Sequence, residues 1–281
     1  MIIENKLARA DATFLVRGFT LLEMAIVLVV IGLIAAGVLL ATGLIRAAEL
    51  RQLSGDSQRY IMAARQFSEQ YHALPGDMDN ATSIWGARAG GTADGLVAAC
   101  YTYFDASQTP TQATCNGNGN TRIQHNVASG NDFFELWQAW QHLSNAGMIE
   151  GIYTGQGKGN TGFDNRVAVP GLSAPEGSVT GEVFTFRWWG TAVSAAQVFD
   201  GEYGNSLMIG RNTDADDPFL SAADMATLDV KSDDGKPGTG TIRVYKNSYR
   251  PNCATSDDPN GAAYDFDNEE HGCTMVVITG F

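Results

Sequence analysis

The sequence predicts an α+β protein in which a long N-terminal helix packs its second half on an antiparallel β-sheet. Three observations carry this. From Met24 to Ile45 the chain is apolar at every position except Thr42. No proline occurs between Gly18 and Pro75, so nothing in that stretch obliges a helix to break. From about residue 180 the pattern changes to short β-branched and aromatic segments set off by glycine, proline, asparagine and aspartate.

Residues 1–18 read as a leader, with Lys6, Arg9 and Arg17 ahead of the apolar run as the positive-inside rule requires. Residues 19–45 form the apolar half of the helix. The stretch from Met24 to Ile45 spans roughly 33 Å at about 1.5 Å per residue, one bilayer core, so this half is expected to be transmembrane. Residues 46–75 continue the helix in amphipathic form. Leu53, Tyr60, Ala64, Phe67 and Tyr71 recur at spacings of three, four or seven, with Arg51, Gln52, Asp56, Arg59, Arg65 and Glu69 between them. The helix is expected to run from Phe19 to about Ala73 and to stop at Leu74-Pro75-Gly76-Asp77. Gly32, Gly37 and Gly43 are weak points, each costing about 1 kcal/mol relative to alanine inside a helix.

Residues 76–281 are expected to form one globular domain. Its first part, 76–130, is rich in Gly, Ala, Thr and Asn and reads as loop with at most a short strand. A helix from Asn131 to about Ala146 places Phe133, Phe134, Trp137, Trp140 and Leu143 along one face, with Asp132, Glu135, Gln138 and Gln141 between. Four strands are expected: Val183–Trp189, Ser206–Gly210, Thr241–Tyr245 and Thr274–Thr279. A short helix, Ser221–Val230, capped by Ser221, leads to the Asp-Gly and Pro-Gly turn at 231–238.

A carboxylate at the edge of a membrane-length apolar run is costly unless a positive group meets it. Glu23 is that carboxylate, five residues after Gly18 in Arg17-Gly18-Phe19-Thr20-Leu21-Leu22-Glu23-Met24. Cutting between Gly18 and Phe19 would create an amine one helical turn away. An ordinary signal peptide, by contrast, has an apolar core of 7–15 residues and no acid.

Gly18-Phe19-Thr20-Leu21-Leu22-Glu23 resembles the processing site of type IV prepilins and of type II secretion pseudopilins. The resemblance covers about 35 residues closely. It implies a pilin-like fold, cleavage after Gly18 by prepilin peptidase, methylation of Phe19, and pairing of Glu23 with the Phe19 amine of a neighbouring subunit as registry device. It further implies residence in the bacterial inner membrane before assembly. Polymerisation with other copies or related pilins, into a pilus or pseudopilus in the periplasm or on the cell surface, would follow. The 18-residue leader, the absence of a helix proline and the large soluble part favour a minor pilin or pseudopilin over a major one. A membrane-anchored adhesion or binding module that does not polymerise is the alternative.

The net charge is −13, and removing residues 1–18, with three basic and two acidic side chains, leaves −14. An acidic chain is not expected to bind nucleic acid broadly, because displacing counterions takes basic groups. The four cysteines, Cys100, Cys115, Cys253 and Cys273, contain no CxxC pair. An even number in an exported chain points to disulfides; of the three pairings, local Cys100–Cys115 and Cys253–Cys273 is favoured. No cofactor is expected. Calcium in an acidic loop is the one candidate, with Asp229, Asp233 and Asp234 as the ligand set among three acidic clusters, none of which has EF-hand spacing. His72, His125, His142 and His271 fall in no HExxH pattern, and no GxSxG or P-loop occurs, so no enzymatic activity is expected.

Overall fold

In the computed structural model, residues 19–88, 100, 110–124, 135–157, 167–179, 181–192, 197–212, 215–246, 253–267 and 272–281 are described. The leader with Gly18, and Asp132, Phe133, Phe134, His125, His271 and Asp214, lie outside them. The chain divides into two compact units, one ending at Ala47 and the other beginning at Ala48.

Helix α1 runs Leu21–Tyr71. It starts two residues later than expected because Thr20 serves as its cap. It ends two residues earlier because His72 takes a left-handed backbone conformation, φ 54°. In the first unit every residue from Phe19 to Ile45 is exposed. In the second, Leu50, Leu53, Ser57, Tyr60, Ala63, Ala64 and Phe67 are buried, the heptad-like face that the periodicity marks out.

That face packs on a four-stranded antiparallel sheet of β1 (Glu182–Ala192), β2 (Gly201–Arg211), β3 (Ile242–Tyr245) and β4 (Thr274–Ile278), in the order β1-β2-β4-β3. The register pairs Phe184 with Ile209, Leu207 with Val277 and Val244 with Met275. These residues belong to the main core or, for Val277, pack against it, while Met208, Val276 and Tyr245 join a smaller cluster on the opposite face. The alternation follows from the two-residue period of a strand. β1 and β2 are each 11 residues long, longer than the apolar segments that announced them.

α2 (Ala81–Trp85), too short to leave a periodic signal, follows the Pro75-Gly76 turn. α3 (Glu135–Asn145) crosses behind α1. Tyr60 of α1 meets Trp140 of α3 edge-on at 5.1 Å and Phe184 of β1 at 4.9 Å, and Trp140 stacks on Phe186 at 5.0 Å. α3 departs from its amphipathic expectation. Glu135, Gln138, Gln141 and His142 are buried along with the tryptophans, because segment 111–124 covers the polar face. α4 (Ala222–Ser232) has Ser221 as N-cap, its side chain accepting from the Asp224 N–H.

Cys100 is bonded to Cys115 and Cys253 to Cys273. The second bridge ties the loop at Cys253 to the residue before β4, whose own backbone pairs with Leu220.

Candidate processing and assembly site

Thr20, Leu21, Leu22 and Glu23 form the first turn of α1. The Glu23 Oε2 accepts from the Thr20 N–H at 2.8 Å and from its hydroxyl at 2.9 Å, while the Glu23 N–H donates to the Thr20 hydroxyl oxygen at 3.2 Å. This is a capping box: N-cap threonine and third-position glutamate satisfy each other's backbone donors, which the helix cannot. A carboxylate is also favoured there by the positive end of the helix dipole. Glu23 therefore has a partner within its own helix. Both Thr20 bonds fall on Oε2, and Oε1 makes no hydrogen bond among the described residues. Phe19, immediately ahead of the cap, is exposed.

Beyond the cap the helix presents its apolar residues on all sides. Leu21 is 92% exposed, and none of the most apolar stretch is buried within the chain. By length and composition the helix can cross a membrane, and its most apolar stretch, unlike its second half, is not buried by the described residues. A Cβ added at Gly32, Gly37 or Gly43 would meet nothing within 4 Å. The chain's own packing makes no demand for glycine at these positions.

The calcium candidates come together in the turn between α4 and β3. Ligand atoms of Asp229, Asp233 and Asp234 lie within 4.8 Å of one another. The same oxygens already organise the turn. Asp229 accepts from the Tyr264 hydroxyl at 2.6 Å and the Gly235 N–H at 3.2 Å. Asp233 accepts from the N–H groups of Thr241 and Ile242 at 2.6 and 2.9 Å, occupying the outer edge of β3. Asp234 takes the Lys236 N–H and the Thr239 hydroxyl. Burial pushes the Asp229 carboxyl up to about 6, against the pull of the Tyr264 hydroxyl. Calcium takes six to eight oxygens, and three carboxylates engaged in this way fit a turn-forming role without it.

A second polar centre lies under α3, and no local pattern announced it. Both oxygens of buried Asp77 accept backbone N–H groups, of Asn120 at 3.0 Å and Thr121 at 2.7 Å. Both oxygens of Glu135 do the same, with Asn118 at 3.1 Å and Gln124 at 2.7 Å. Burial pushes the Glu135 carboxyl up to about 8, and the Asp77 charge adds to this while the two N–H groups oppose it. His142 accepts the Gly76 N–H on Nδ1 at 3.0 Å, so its proton sits on Nε2, facing the Thr114 hydroxyl and the Cys115 carbonyl. Burial pushes this imidazole down to about 4. Together these side chains pin segment 114–124 to the turn after α1.

The cap has a sequence signature, a threonine three residues before a glutamate at the head of an apolar run.

Comparison with known proteins adds one match, to the prokaryotic N-terminal methylation motif at residues 15–39. No curated protein and no solved structure matches the chain. The matched segment holds Gly18, Phe19 and the Thr20–Glu23 cap. The chain thus carries the N-terminal methylation motif that is the hallmark of type IV pilins and pseudopilins.

Proposed function

We propose that this protein is a structural subunit that prepilin peptidase cuts between Gly18 and Phe19 and that polymerises through α1 into a type IV pilus or pseudopilus. The observation that carries the reading is the conjunction at one helix end: a methylation motif, an acid held in the first turn with one oxygen uncommitted among the described residues, and an apolar first half of the helix that no described residue buries. Helices from many copies would bury that surface against one another at about 25 cal/mol per Å². The uncommitted Glu23 oxygen would meet the Phe19 amine of the adjacent copy, so that only one axial offset pairs the charges. Before assembly the subunit would sit in the inner membrane, with the domain from Ala48 onward in the periplasm. The reading assigns no catalysis. In its support, His142 spends both ring nitrogens on structural hydrogen bonds.

Expression with a prepilin peptidase, followed by negative-stain microscopy, tests the proposal. Filaments are expected from the wild type. Glu23→Val is expected to be inserted and cleaved but to assemble poorly. Cleaved, membrane-inserted wild-type protein that forms no filament alone or with partner pilins would favour the anchored binding module instead.

A further inference from the structure

Asn80-Ala81-Thr82 is an Asn-X-Ser/Thr triplet, and no other asparagine among the 281 residues heads one. Such triplets are acceptors for N-linked sugar in exported chains, but three residues recur by chance, so placement decides their weight. Asn80 is exposed, in the turn between the Pro75-Gly76 bend and α2. It stands in the N-cap position of α2, where asparagine ordinarily spends its side chain on the helix. Here the side chain makes no cap hydrogen bond, and the backbone sits at φ −125°, ψ 17°. The backbone carbonyl of Asn80 does the holding instead, accepting from the Ser83 N–H at 3.1 Å and the Ser83 hydroxyl at 2.6 Å. Among the described residues, the carboxamide of Asn80 has no structural task.

We propose that Asn80 is an N-glycosylation site. The inference rests on the reading of this domain as exported. The Asn80 Nδ2 would bond to the anomeric carbon of a sugar carried on a polyisoprenyl diphosphate. The bond from that carbon to the diphosphate oxygen breaks, the lipid diphosphate leaves with the electron pair, and the amide proton passes to a base of the transferase. No oxidation or reduction is involved.

The hydroxyl residue that a transferase reads is Thr82, which in the folded domain is half-buried in the first turn of α2 with its N–H bonded to Asn116 Oδ1 at 2.8 Å.

Mass spectrometry of the mature protein, isolated from the cells that naturally make it, tests this. The peptide of residues 66–88, bounded by arginines, is expected to carry a sugar mass. Asn80→Gln and Thr82→Val should each remove it entirely, and Thr82→Ser should retain it. A bare peptide 66–88 in protein whose chain begins at Phe19 would overturn the glycan proposal and leave the export reading standing. A sugar mass surviving Asn80→Gln would overturn it as well. A chain that keeps residues 1–18 and a bare peptide 66–88 would together overturn the processing reading and this proposal.

Discussion

Thr20 and Glu23 close a reciprocal cap at the head of α1, with both threonine donors on a single carboxylate oxygen. Oε2 finishes its own helix, and Oε1, without a hydrogen bond among the described residues, stays open for the cation proposed above. An acid whose setting first suggests a need for a distant partner is thus held ready by a residue three positions away.

Thr20→Ala should loosen the first turn without affecting insertion. Loss of an N-cap weakens a helix end by about 1 kcal/mol, roughly fivefold in opening. Hydrogen exchange at residues 21–24 in detergent should quicken by that factor, and Thr20→Ser should restore it. Filament yield should fall with Thr20→Ala, because Glu23 would no longer be held in place.

Gly32→Ala should be tolerated by the monomer, since its Cβ would meet nothing within 4 Å. It should strengthen the helix locally by about 1 kcal/mol. If assembly needs this part of α1 to loosen, filaments should form more slowly in the variant although protection around residue 32 rises. Unchanged assembly would show that the glycine serves neither packing nor melting.

Cys253→Ser with Cys273→Ser should cost the soluble domain about 3 kcal/mol, as expected for a loop of this span, measured by urea unfolding. The loss should appear first at β4, because Cys273 also pairs its backbone with Leu220.

The pH dependence of stability should carry a His142 signature. Its imidazole is held down at about 4, against an ordinary value near 6.5. Between those values the unfolded chain binds a proton that the folded one refuses. The contribution is complete above pH 6.5 and is lost as pH falls through 4, about 3 kcal/mol in all. Glu135 runs the other way: its carboxyl is pushed up to about 8, so its contribution is complete below 4.5 and is lost as pH rises through 8. The two oppose each other across pH 4.5–6.5, where Asp229, pushed up to about 6, adds to the Glu135 side, so the His142 contribution has to be isolated by mutation. The difference in unfolding free energy between wild type and His142→Gln should grow by about 3 kcal/mol from pH 4 to 6.5.

Much of the fold could be read from the residues. The apolar run and the absence of proline announce α1, and alternating apolar residues announce four strands. Tertiary relations could not be read locally. β4 inserts between β2 and β3, although β3 precedes it in the chain. On α3 the aromatic face is apparent, but Glu135, Gln138, Gln141 and His142 look like a solvent face until segment 111–124 is seen to cover them. At the candidate site, Glu23 stands out because it violates the apolar pattern. Thr20 does not stand out, because a hydroxyl at a helix start is ordinary, and its role appears only when read together with Glu23.

In the proposed scheme, processing creates Phe19 as the first residue of an assembling subunit. N-terminal sequencing and intact mass of protein recovered from sheared filaments read that residue out. The prediction is a chain beginning at Phe19 with one added methyl group on its amine. A chain in the filament that begins at Met1, or at any residue other than Phe19, would contradict it.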